Sequence, residues 1–378
     1  LSQLSTPKVA ITVLALGYET VQQSLAGLSG GYLTPVCFSC GWAGYALKLV
    51  LTSVGKTGLM PEPDTSCTVV NISSGIAKQN KSWILGRIVR DYNYWMPEKV
   101  KDELKENLAE SHRLDKAREA ERALEEHRQP RPVRPRTQAG LIISVLRTSA
   151  DKNPGNPSAD YIYYSGLLVT AVQLLIAVVL CIVYRDASSF AIFSITAVGT
   201  CLAYITGALP QWADEKWACR TLQEGKPKTL ALTRGNGAQH VIIIVGQTGA
   251  LDLEDLANGS PEIPITWRTR IWTAISVLLW AGLSLFATSI PNQRVWFLLL
   301  IGGLGSVQNL VAAQAPRRPE TLGLYLELDY KFKVIHSTKV MKALEDLEED
   351  VQGAGRSLLN IFFPAGIRED EKQRWATS

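Results

Sequence analysis

Few side chains in this chain have a type and setting that could do chemistry, and the clearest group sits in the string LALTRGNGAQHVIIIVG. Arg234, Asn236 and His240 lie within seven residues there. A histidine titrates near neutrality, and an arginine fork pairs with carboxylate or phosphate, so the three make a candidate polar site. Glu19, Gln308 and Asn309 form a second group, since all three fall inside long apolar stretches. A carboxylate at membrane depth is costly unless it faces a bundle interior or water, and buried amides either bridge helices or line a path for a ligand or ion. Bridging is the commoner use, and an intramembrane pocket is the alternative.

Other strings carry less. The chain has four histidines, none at ligand spacing to another, so no metal site is expected. Cys37 and Cys40 form a CxxC without a second pair or a neighbouring histidine, which reads as packing. Gly55, Lys56 and Thr57 end like a phosphate loop, but Val50 stands where the loop needs glycine. In VGQTGALDLEDL a strand runs into two glycines and a helix, the shape of an anion-binding turn. Asp252, Glu254 and Asp255 would repel a phosphate there, so a structural turn is expected. No Ser-His-Asp, HExxH or DDxxD-like pattern occurs, and no cofactor can be named.

The elements that must carry these residues follow from hydropathy. The 378 residues have a formal net charge of +4, and apolar stretches of bilayer length alternate with loops that hold nearly all the charge. Tyr161 to Tyr184, Ser189 to Leu209, Ile271 to Ile290 and Val295 to Ala315 meet the spanning criterion readily. Pro35 to Val54 follows despite Lys48, which can snorkel, and Val9 to Leu28 is the weakest. The expected fold is therefore a membrane α-helical protein of about six transmembrane helices in three hairpins (9–54, 161–209 and 271–315).

Loops 55–160 and 210–270 and the tail 316–378 should build a small cytosolic α+β subdomain. Short connections (Ser29 to Thr34, Arg185 with Asp186, and Pro291 to Arg294) carry few charges. The opposite ends hold Lys56, Arg147, Lys216, Arg220, Arg268, Arg270, Arg317 and Arg318, which predicts both termini in the cytosol. Sequons at Asn71, Asn80 and Asn258 argue the other way if they are used.

Within the subdomain, Cys67 to Ile72, the two runs flanking RGNG, and LYLELDYKFKV (Leu324 to Val334) read as strands of one sheet. A helix is predicted from Val340 to about Val351, and a highly charged one from about Pro97 to His127, solvated or one strand of a coiled coil. PRPVRPR (Pro130 to Arg136) reads as an extended linker.

Several strings taken together (TPVCFSCGWAGYAL, SWILGRIVRD, LALTRGNGAQHVIIIVG, LDLEDLA and IGGLGSVQNLVAAQAPRRP) resemble a family of functionally uncharacterised multi-pass membrane proteins of filamentous fungi. The resemblance runs from the second predicted span to the start of the tail and carries no site residue across. The reading overall is a non-enzymatic scaffold, sensor or assembly partner, with the bilayer and a protein partner or second copy as its contacts and no nucleic acid. A membrane-embedded enzyme or carrier for a lipophilic small molecule is the alternative.

Overall fold

In this computed structural model the described residues are 17–54, 58–135, 137–138, 140–149, 152–225, 227–259, 263–328 and 332–377. The chain divides into two compact units, a helical one (1–62, 155–218 and 260–323) and one built on a sheet (63–154, 219–259 and 324–378).

Four helices of the first unit are long and apolar enough to cross a bilayer: Tyr161–Tyr184, Ala187–Gly207, Trp267–Thr288 and Gln293–Gln314. Their 21 to 24 residues correspond to about 32–36 Å, against roughly 30 Å of hydrocarbon. Polarity is distributed inside out. Leu168, Leu175, Ile182, Leu278, Leu285 and Val307 are exposed, whereas Thr170, Gln173, Thr196, Thr273 and Ser276 are buried. Exposed apolar side chains are tolerated when the surroundings are lipid, and buried polar ones then tie helices together.

The two ends of the bundle are pinned by ion pairs. At one, Asp186 caps the Ala187–Gly207 helix and takes Arg294 at 3.1 Å, whose guanidinium lies 3.6 Å from the Tyr184 ring centroid. At the other, Asp160 caps the Tyr161–Tyr184 helix and accepts two 2.8 Å bonds from the buried Arg317.

The predicted first hairpin does not form as expected. Residues 9–16 of its first span lie outside the described residues, and the remainder is the helix Tyr18–Leu28. That helix ends beside Arg317, which donates to the Gly27 carbonyl at 2.7 Å, and Lys216, which donates to Ser29 at 2.8 Å. Thr34 bonds the Gly207 carbonyl. The Ser29 to Thr34 connection, expected opposite the basic end, therefore lies at it.

From there the chain turns back inward, extended and buried. Asn309 accepts from the Cys37 N–H and donates to its carbonyl, both at 3.0 Å. Gln173, near the middle of its helix, donates to Phe38 at 2.8 Å and to Ile301 at 2.7 Å. Phe38 stacks on Trp280, near the middle of a third long helix. The helix Gly41–Val54 then leads back, with Leu59 bonded to Gln22 and Met60 to Glu215.

Pro35 to Val54 is thus an extended stretch followed by a short helix, which turns back within the helical unit, and not one long apolar helix. Its 14 helical residues cover only about 21 Å. Pro35 offers no N–H and disfavours a helical Thr34, so the chain is extended at this point. Glycines open the groove that receives it: a Cβ on Gly305 would lie 1.8 Å from the Phe38 oxygen, and one on Gly166 2.4 Å from the Pro35 oxygen. The Lys48 ammonium donates to Gln22 at 2.5 Å and lies over the Tyr18 ring.

In the second unit, a seven-stranded sheet runs β2 (Ala77–Gln79), β1 (Thr68–Asn71), β4 (Lys228–Thr233), β5 (His240–Gly246), β3 (Leu141–Thr148), β6 (Leu326–Glu327), with β7 (Lys333–Ser337) also on β3. Among the described residues only β3 and β5 pair in parallel. β3 lies beyond the predicted linker Pro130 to Arg136, in a stretch for which no strand is predicted. Its LIISVLRT is buried almost throughout, so the alternation that marks a half-buried strand is missing.

Of the single strand predicted from Leu324 to Val334, residues 329–331 lie outside the described residues; the described parts belong to β6 and β7, and in β7 Ile335 rather than Val334 is buried. Helices Val340–Asp350 and Ala354–Phe362 cover one face, packing Leu344, Leu347, Leu358 and Phe362 on Val70, Ile143, Val241 and Ile243. The charged helix Glu98–Glu125 is largely solvated and holds β7 through Asn107 to the Ser337 carbonyl and Glu103 to His336. Two sequon asparagines are enclosed: Asn71 binds Glu254 and Asn80 binds the Ser82 carbonyl.

Candidate functional site

The β4–β5 hairpin is legible from its residues. Thr233 closes β4 and accepts the Gly235 N–H, Gly235 and Gly237 take φ of +92° and +84°, and the Ala238 N–H returns to the Gly235 carbonyl. Positive φ at two positions is what glycine supplies without strain. The loop thereby stands open beside β3, and β5 starts at His240.

A cavity of about 300 Å³ lies at this turn. Its floor is Val89, Leu232 and Ile242, and its polar lining includes Arg90, Asn93, Gln138 and Gln239 together with Arg234, Asn236 and His240. All three sequence-predicted residues of the hairpin are therefore brought to one cavity. Tyr92 also lines it, with its ring edge-on to His240 at 5.1 Å and its hydroxyl bonded to Ser144 at 2.6 Å. Burial raises the Tyr92 hydroxyl against the opposing effect of that bond.

The electrostatics are one-sided. Among the described residues no carboxylate lines the cavity. Burial pushes His240 down to about 4, and the nearby Arg234 charge adds to the shift, so the imidazole is neutral at neutral pH. Arg90 is engaged by Asp91 at 2.7 Å and Asp64 at 3.1 Å. Arg234 is exposed and makes one long bond, 3.4 Å to the Val89 carbonyl, with no carboxylate partner among the described residues. Two buried atoms in the lining, His240 Nδ1 and Gln239 Nε2, have no hydrogen-bond partner among the described residues. Such orphans cost free energy unless a bound molecule or water satisfies them. The arrangement offers hydrogen bonds and positive charge to a ligand, and no nucleophile paired with a base.

Gln239 was open to sequence reasoning as the neighbour of His240. Tyr92, Asn93, Arg90 and Gln138 come from segments outside the hairpin, and tertiary packing brings them here, the Tyr92 hydroxyl bonding Ser144 of β3.

The intramembrane trio does not assemble into a pocket. Glu19 is exposed, accepting from its neighbour Tyr18, so its carboxylate faces outward. Gln308 donates to Ser165 at 2.8 Å, and Asn309 is consumed by Cys37 and Ser39. Cys37 and Cys40 are free cysteines that pack, one against the Gly166 carbonyl and one close to Gly302. In the LDLEDL turn the Asp252 carboxylate itself receives Glu254 N–H and Asp255 N–H, with Lys228 at 2.7 Å, so that helix start is occupied. No family model, curated protein or solved structure matches this chain.

Proposed function

We propose that the chain is an integral multi-pass membrane protein that works without catalysis, as a sensor, scaffold or assembly partner, and that the hairpin cavity of its α+β unit is where it receives a small molecule. The observation that carries the reading is the cavity itself: about 300 Å³, seven polar side chains besides Tyr92, and two orphaned buried atoms. That volume lies at the lower end of ligand sites.

The four long helices supply the membrane part as two hairpins, with 35–54 re-entrant from the basic end. Since Lys216, Arg268, Arg270, Arg317 and Arg318 gather where the loops and tail leave the bundle, the positive-inside rule assigns that end to the cytosol. The Glu98–Glu125 helix, charged along its length, is the surface on offer to a protein partner or a second copy. The alternative of an enzyme or carrier built on Glu19, Gln308 and Asn309 loses its support because these residues lie apart or are already hydrogen-bonded.

The test is native mass spectrometry on the full chain in mild detergent, comparing it with Ala238→Trp, which fills the cavity mouth. A small molecule that the substitution removes is the expected result. A protein that carries nothing, and that no compound in a metabolite screen stabilises against heat, would sink the proposal.

A further inference from the structure

We infer that the hairpin cavity takes a phosphate monoester group, borne either by a soluble metabolite or by a lipid. The inference rests on the cavity being a ligand site and goes on to name what fills it. Arg234 points the way because its guanidinium has no carboxylate among the described residues, while Arg90 beside it is already neutralised by two aspartates. Gln239, which lines the cavity, carries a donor, Nε2, that has no partner among the described residues, and an acceptor entering there would give it one. The remaining polar lining is mostly amide, at Asn93, Gln138 and Asn236.

Amide and guanidinium N–H groups thus outnumber the roughly four lone-pair sites of a carboxylate. A phosphate monoester, with three strong acceptor oxygens and up to two charges, uses them better. The neutral His240 adds one donor or acceptor without adding charge, and the Val89, Leu232 and Ile242 floor suits an apolar portion next to the ester oxygen. The Asp252 carboxylate closes the other sequence candidate for an anion, the LDLEDL turn, which leaves the RGNG hairpin as the place for it.

The experiment uses the full chain in neutral detergent, titrated with inorganic phosphate and with glycerol 3-phosphate, and separately the chain in nanodiscs of phosphatidylcholine with or without phosphatidic acid. Binding is expected with at least one of these probes. Arg234→Gln should weaken it roughly tenfold to a hundredfold, the range for losing hydrogen bonds to a charged group. Arg234→Lys should fall between, since it keeps the charge but not the fork. Gln239→Leu, which removes only the orphaned donor, should also weaken binding.

Arg234 is exposed, so the arginine variants should fold, and their melting curves check it. Response to glycerol 3-phosphate assigns a soluble ester; response to phosphatidic acid alone assigns a lipid head group. If Ala238→Trp releases a co-purified molecule yet no phosphate probe binds, the phosphate assignment is overturned while the ligand cavity stands. If the probes bind but Arg234→Gln and Gln239→Leu leave affinity unchanged, the anion lies elsewhere and the inference fails. If nothing binds and Ala238→Trp changes nothing, both fall.

Discussion

Single residues set two measurable properties. His240 has its proton affinity lowered in the fold to about 4, from an ordinary value of 6.5, chiefly by burial and further by Arg234. The unfolded chain therefore binds the proton more readily between these values. Its contribution to stability is complete above about pH 6.5 and is lost as pH falls toward about 4, by at most about 3 kcal/mol. Melting of the full chain between about pH 7.5 and about pH 4.5 should show this loss, and His240→Phe should flatten it. A His240→Phe curve that keeps the whole pH dependence would assign it to other groups. Arg317 is the second case. It is 2 % exposed and serves both Asp160 and the Gly27 carbonyl. Arg317→Ala strands a carboxylate and a carbonyl, and should cost roughly 3–5 kcal/mol. A shift in detergent melting temperature of a degree or less would show the pair to be solvated.

At the scale of an element, the re-entrant segment is held by two amides in place of a partner strand. Asn309 satisfies both backbone groups of Cys37, and Gln173 satisfies the Phe38 carbonyl. In hydrocarbon each orphaned group is expensive. The Cys37 carbonyl also accepts from Trp42 Nε1, so Asn309→Leu orphans the Cys37 N–H and should destabilise by roughly 1–3 kcal/mol, with Gln173→Leu, which orphans the Phe38 carbonyl, costing a similar amount. Gly305→Ala tests the other half of the device, because its methyl would meet the Phe38 carbonyl at 1.8 Å and must displace the segment. Detergent melts with normal expression rank the three, and a wild-type curve for Asn309→Leu contradicts the clamp. The glycines and the amides act together: removing Cβ lets the backbone approach, and the amide then completes its hydrogen bonds.

At the scale of the molecule, the decisive question is which parts share a side of the membrane. Tyr32 and Glu62 are exposed, and the re-entrant path puts the segments that carry them at one end of the helical unit. In a cysteine-free background, Tyr32→Cys and Glu62→Cys should react with an impermeant maleimide from the same side. Labelling from opposite sides restores a full span through 35–54. Asn71 and Asn80 are enclosed and hydrogen-bonded, so neither should carry sugar in the cell, and a glycan on either would reverse the orientation proposed for the loops.

Some of this architecture is written in consecutive residues. The four long helices are visible because a bilayer demands a run of apolar side chains of set length, and any window of the sequence reports it. The RGNG turn and its two flanking strands are visible for a similar reason, since glycine at positive φ between β-rich runs is a local requirement. The Val340–Asp350 helix announces itself by apolar spacing between Ser337 and Gly353.

The rest depends on partners far away in the chain. Asn309 lies 272 residues from the Cys37 it clamps, so Pro35 to Val54 looks like an ordinary span until the helices are packed. β3, paired by β5 on one edge and by β6 and β7 on the other, has side chains buried on both faces and no polar alternation to betray it. The cavity is decided the same way: the hairpin brings Arg234, Asn236, Gln239 and His240, but Arg90 and Tyr92, whose hydroxyl bonds Ser144 in β3, arrive from a helical segment far away in the chain. Local sequence sets what each segment can be; long-range hydrogen bonding sets which backbone groups must be satisfied where, and tertiary structure alone decides that.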